Sequence, residues 1–140
     1  MHAETSRKER FQSLESGLGL LRQALARGPQ ALNPLEREGA LRRFEYCLDL
    51  CWKAEREYLE DSGLRIAPIT PREVLRQAVA AGVVVDGQVW LDMFNHRNLL
   101  AHNYDGVVHG EVIEALAARY FPATEQLRQF LAAPELEGVK

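Results

Sequence analysis

The chain has 140 residues, 46% of them hydrophobic and 26% charged, with a formal net charge of -3. That length suits one domain with a sizeable core, and the composition is ordinary for a globular protein. The acidic balance argues against broad nucleic-acid binding through a basic surface, so any such contact has to be local and focused.

The first residues, with Glu4, Arg7, Lys8, Glu9 and Arg10, contain no apolar segment of the signal-peptide kind. The longest apolar run, Ala78 to Val85, is broken by Gly82 and is too short to span a bilayer. The only two cysteines, Cys47 and Cys51, stand at i, i+4 and read as reduced core residues of a cytoplasmic protein. They have too few potential ligands around them in sequence for a metal site.

From Glu4 to Arg27 the apolar positions Phe11, Leu14, Leu18, Leu21 and Leu25 recur at helical spacing, and Gly28-Pro29 ends the helix. Asn33-Pro34-Leu35-Glu36 is a capping box with proline at the first helical position. The helix it starts runs to about Asp61 and buries Leu41, Phe44, Cys47, Leu48, Cys51 and Tyr58. Leu50, Trp52 and Leu59 widen that face, so this helix contacts several others or a second subunit. Thr70-Pro71-Arg72-Glu73 repeats the cap and opens a short helix to about Ala81 that buries Val74, Leu75, Ala78 and Val79. Val83, Val84 and Val85 read as loop. Asp86 caps a fourth helix. A fifth starts between Val107 and Gly110 and buries Val112, Ile113, Leu116, Ala117 and Tyr120. At Pro122 the missing N–H predicts a kink, or a break followed by a helix from Ala123 to about Ala132. The ends, residues 1–3 and 134–140, are expected to fray. The fold class is therefore all-α: one domain over residues 1–140, an up-down bundle of about five helices.

The fourth helix leads into the chemically richest stretch, Arg97-Asn98-Leu99-Leu100-Ala101-His102-Asn103-Tyr104-Asp105. At ~100° per residue, Val89, Trp90, Met93, Phe94, Leu100 and Ala101 form one apolar arc, with Arg97 in its middle. A charge there is costly unless paired. It snorkels or meets a buried carboxylate, for which Glu45 and Glu57 are candidates, or it awaits an anionic ligand. Arginine offers a permanently charged planar fork for phosphate, and histidine moves protons near neutral pH. Together they suit metal-independent RNA cleavage, in which the 2′-OH attacks its own phosphate. His102 equally suits a helix-end role on free carbonyls, and Tyr104 a core aromatic with its hydroxyl at the edge. His96, His109 and Asp92 read as surface residues. Arg97 and His102 lie about 140° apart on a continuous helix. They converge only if the helix ends near His102 or a second subunit supplies one of them, which ties activity to a homodimer.

Arg97-Asn98-x-x-x-His102-x-Tyr104 resembles the signature of HEPN domains. Arg43-Phe44-Glu45-Tyr46 with Leu48 and Trp52-Lys53, then Pro71-Arg72-Glu73-Val74, then Gly87 with Trp90-Leu91-Asp92-Met93, resemble the nucleotidyltransferase substrate-binding subunit branch of that superfamily. The similarity covers roughly Leu41 to Tyr120. It implies a helical bundle that dimerises and pairs with a separate small nucleotidyltransferase. In many such pairs the HEPN chain is a ribonuclease toxin and the nucleotidyltransferase its antitoxin. By the same resemblance, Arg97 and His102 are the active pair and Asn98 a supporting polar residue. Tyr104 is the position that takes AMP or contacts a nucleotide. No cofactor or metal is implied. The alternative is a non-catalytic subunit that binds a nucleotide at Arg97 for the partner enzyme.

Overall fold

The computed structural model describes residues 2–102 and 105–138. Every regular element among them is helical: α1 (His2–Leu25), α2 (Pro34–Asp61), α3 (Pro71–Ala80), α4 (Gly87–Leu100), α5 (Gly106–Ala115) and α6 (Phe121–Gly138). A π-helical turn, Leu116–Tyr120, joins α5 directly to α6, so the bundle has five rods. No helix among the described residues is long and apolar enough to cross a membrane.

The helix starts are where local chemistry places them. The Asn33 carboxamide accepts from the Glu36 N–H at 2.8 Å while the Glu36 carboxylate accepts from the Asn33 N–H at 2.9 Å, satisfying two orphan donors at once. Thr70 and Asp86 cap α3 and α4 by accepting from the N–H groups of Glu73 and Val89. Gly82, at φ 77°, ends α3. The next N–H, of Val83, donates back to the Ala78 carbonyl at 2.9 Å, a Schellman turn that glycine alone enters without a steric cost.

α2 packs against all five other helices. Its Phe44, Leu48, Cys51 and Leu59 meet Leu14, Leu18 and Leu21 of α1, Val74 and Ala78 of α3, Trp90 and Met93 of α4, and Ile113 of α5 in one core. Arg7 pairs with Asp61 and Arg10 with Glu57 along α1 and α2, which therefore run antiparallel. Both cysteines are free and buried. Burial pushes the Cys47 thiol up to about 11, which keeps it protonated.

Several expectations need correction. Val79 is 41% exposed, whereas Val83 and Val84 are buried. The turn at Gly82 folds the chain back over the end of α3, and the loop valines take the space. Where a kink or a break was expected at Pro122, the chain makes a π turn over Leu116–Tyr120. The Phe121 N–H reaches five residues back to the Leu116 carbonyl, and the extra residue lets the chain carry a proline without ending the rod. α6 accordingly starts at Phe121 and its backbone runs to Gly138, past the expected end near Ala132.

Candidate functional site

α4 is fixed by Trp90, Met93 and Phe94, which are all buried in the core. One turn after Phe94 stands Arg97, half-buried, its guanidinium 5.7 Å from the centre of the Phe94 ring. Such a contact orients a cation without neutralising it. Neither carboxylate considered for it is there. Glu57 is bonded to Arg10, and Glu45 lines a separate hollow with Arg42 and His109. Among the described residues Arg97 has no acidic partner. The described residues supply no carboxylate for the buried ion-pair reading of Arg97.

Arg97 and Asn98 line a cavity of about 180 Å³ together with Thr70, Pro71, Arg72 and Phe94. Thr70, Pro71 and Arg72 come from the capped start of α3, which packs on α4. The Arg72 Nη2 donates to the Asn95 Oδ1 at 2.9 Å and ties the two helices together.

α4 ends at Leu100. The Ala101 N–H bonds the Arg97 carbonyl at 3.2 Å, and the His102 N–H bonds the Leu99 carbonyl at 3.1 Å, a tightened last turn. His102 is exposed in the turn that follows. The helix thus ends where the separation of Arg97 and His102 required. Ala101, expected in the apolar arc, is exposed for the same reason. Asp105 caps α5 by accepting from the Val107 N–H at 2.9 Å. Asn103 and Tyr104 lie outside the described residues, and with them the candidate modification site. The structure brings Arg97 and Asn98 to one cavity, while His102 is not among the described residues that line it. On the other side of the helix end, Leu100 and Ala101 border a hollow of about 320 Å³ shared with Glu38, Leu41, Arg42, Glu45 and His109.

Asp92 and His96, read as surface residues, are half-buried and join a polar cluster with the buried Tyr120. The Tyr120 hydroxyl and His96 Nδ1 are 2.6 Å apart. Tyr120 is fully buried and stacks on Phe44 at 5.7 Å. Asp92, one turn before His96, is half-buried and bonded by Arg119 and Gln88. Burial holds the Tyr120 hydroxyl above its ordinary range, opposed by Arg119 and reinforced by Asp92. The i, i+4 spacing of Asp92 and His96 was the signal for a shared face. Its partners, on the π turn, were invisible to periodicity.

Glu55 was also missed. It lies in the apolar stripe of α2, is 1% exposed, and neither carboxylate oxygen has a hydrogen-bond partner among the described residues. Burial alone pushes its carboxyl up to about 8, so it is neutral at pH 7. No group of three His, Cys, Asp or Glu side chains suited to a metal ion occurs among the described residues.

Residues 9–133 match the family described as nucleotidyltransferase substrate binding protein like. A probable ribonuclease HepT from Haemophilus influenzae is 28% identical over 98 residues, covering 65% of this chain and 66% of that protein, just under two thirds of each. The solved structure of HI0074, also from H. influenzae, is described as revealing the fold of a substrate binding domain of a nucleotidyltransferase. It matches with a TM-score of 0.63 at 21% identity, over 91% of this chain and 97% of that one. The likeness to HI0074 is one of fold.

Proposed function

The chain belongs to the nucleotidyltransferase substrate-binding-protein-like family, and on that premise we propose that it is the partner of a small nucleotidyltransferase and a metal-independent endoribonuclease. The single observation that carries this reading is Arg97: a guanidinium without an acidic partner among the described residues, facing a small cavity one turn before an exposed histidine. In the reaction, His102 takes the proton from a ribose 2′-OH. The freed oxygen attacks the adjacent phosphorus, and the bond to the 5′-oxygen of the next nucleotide breaks. The products are a 2′,3′-cyclic phosphate and a 5′-OH, which takes up one proton. Arg97 binds the phosphate oxygens and stabilises the charge that develops there. Asn98 adds a polar contact in the same cavity.

One chain supplies one histidine, outside the Arg97 cavity. Two chains related by a two-fold axis supply two, enough for an acid and a base. The active species in this reading is the homodimer, acting as the toxin of a toxin–antitoxin pair in the cytoplasm. The nucleotidyltransferase neutralises it, with Tyr104 as the acceptor of AMP.

The second reading, a nucleotide-binding subunit without chemistry of its own, draws on the same separation of His102 from the Arg97 cavity. An RNA cleavage assay with the purified chain in excess chelator decides between them. Cleavage that falls by about 100-fold or more in Arg97→Ala and His102→Ala supports the ribonuclease. Absence of any cleavage by the wild-type dimer, together with ATP binding that depends on Arg97, supports the binding subunit.

A further inference from the structure

The cavity beside Arg97 is lined by a second arginine, Arg72. We propose that Arg72 and Arg97 together form a two-cation clamp for phosphate, so that Arg72 is a further binding residue of this site. The proposal rests on the reading that Arg97 binds a phosphate, and it extends that reading to a second helix.

Three observations point there. First, Arg72 and Arg97 line the same cavity of about 180 Å³ from different helices. Neither has an acidic partner among the described residues. The acids nearest in sequence are committed elsewhere: Glu73 bonds Arg76 and Gln77, and Asp92 bonds Arg119 and Gln88.

Second, both guanidinium groups are held by neutral partners. Arg72 donates to the Asn95 side chain at 2.9 Å, and Arg97 lies 5.7 Å from the Phe94 ring centre. An arginine has five N–H donors in a rigid fork, so the single bond to Asn95 leaves donors for a ligand. Neutral anchors fix position and leave the charge uncompensated. Two like charges facing one small cavity repel, and an anion between them removes the repulsion.

Third, the volume is well below the ~300–1,000 Å³ of pockets that enclose whole small molecules. It takes a group, not an entire nucleotide. A phosphate is the group whose oxygens accept from two planar forks at once. It can belong to an RNA strand or to a free nucleotide.

The test uses the full chain carrying His102→Ala, so that bound RNA stays intact, and two probes: a 2′-O-methylated RNA 12-mer and ATP. Binding is measured by fluorescence anisotropy for the RNA and by calorimetry for ATP, at low and high salt. Adding Arg72→Gln is expected to weaken RNA binding about tenfold and to lower the salt slope by about one. Arg97→Ala should do the same. The double variant should lose less than the product of the two, because the two residues share one phosphate. Asn95→Ala, which frees Arg72 without removing its charge, should weaken binding by a smaller factor. Loss confined to ATP in both variants also supports the clamp and assigns the phosphate to a nucleotide. Loss in Arg97→Ala with Arg72→Gln unchanged for both probes overturns the clamp but leaves the Arg97 reading standing. No change in either variant overturns both. Melting curves confirm that each variant is folded.

Discussion

Two regions of this molecule use arginine in opposite ways. At one end, Arg7 and Arg10 of α1 line a hollow of about 320 Å³ with Phe11, Tyr58 and Leu131. Each is matched to an acid of α2: Arg7 to Asp61 at 2.6 Å, Arg10 to Glu57. At the other, Arg72 and Arg97 line a smaller cavity, and neither has such a match among the described residues. Fold maintenance explains the first arrangement, because opposite charges across antiparallel helices fix their register at little cost. It does not explain the second. The bond from Arg72 to Asn95 ties α3 to α4, but the two charges themselves stay uncompensated unless something anionic arrives. The contrast locates function better than cavity size does, since the larger and more apolar hollow is the neutralised one.

The strongest way to break this comparison is to remove one arginine from each region. Arg97→Ala should cost about 100-fold or more in RNA cleavage, while Arg10→Ala should leave the cleavage rate within about twofold, since Arg10 touches only structural partners. Equal losses in the two variants, measured at matched folded fraction, would show that the charge asymmetry has no functional meaning.

Glu55 sharpens the comparison from the opposite side, as an acid without an arginine. Its folded carboxyl titrates near 8 against an ordinary 4.5 because burial penalises the ionised form. The unfolded chain ionises above 4.5, whereas the folded chain keeps the proton until near 8. Stability is therefore fully present below about pH 4.5 and falls as pH rises towards 8, by an amount on the order of a few kcal/mol. Glu55→Leu should raise the denaturation midpoint at pH 8 and flatten that slope. A wild-type midpoint that does not fall between pH 5 and pH 8, relative to Glu55→Leu, would contradict this.

What was legible in the sequence follows from how far each determinant reaches. The caps at Asn33, Thr70 and Asp86 are contacts over three residues, and all three form as the sequence indicates. A helix end near His102 was one of the two ways, beside a second subunit, to bring Arg97 and His102 together, and α4 does end at Leu100. The π turn, the burial of Val83 and Val84 and the cluster of His96 with Tyr120 were not legible, because each depends on neighbours distant in sequence. The same holds for Arg72. Its place in the helix-start motif was plain, but only the packing of α3 on α4 shows that it lines the same cavity as Arg97. For Glu55 the signal was present, a carboxylate in the stripe of Phe44, Leu48, Cys51 and Leu59, and periodicity alone gave no reason to expect it without a partner.

The polar cluster of His96 and Tyr120 offers a smaller test. Tyr120→Phe keeps the stack on Phe44 and removes the hydrogen bond to His96. The expected loss is about 1 kcal/mol of stability, read from the denaturation midpoint. If the cluster is only structural, cleavage at matched folded fraction is unaffected. If it sets the angle of α4 at the Arg97 cavity, the affinity for 2′-O-methylated RNA falls as well.

The smallest effect belongs to the paired end. Arg10 and Glu57 are each about a quarter exposed, at 29% and 25%, so solvent screens much of their attraction. Arg10→Met, which keeps most of the apolar stem, should destabilise the chain by no more than about 1 kcal/mol. Glu57→Gln should cost a similar amount, and the double variant should cost less than the sum, as expected of a single weak pair. Raising the salt concentration should shrink the difference between wild type and Arg10→Met. The same salt should weaken RNA binding at the Arg72–Arg97 cavity far more steeply, because counterions released there are exchanged for phosphate. A paired end whose stability proved as salt-sensitive as RNA binding would mean that both ends hold their charges for the same purpose.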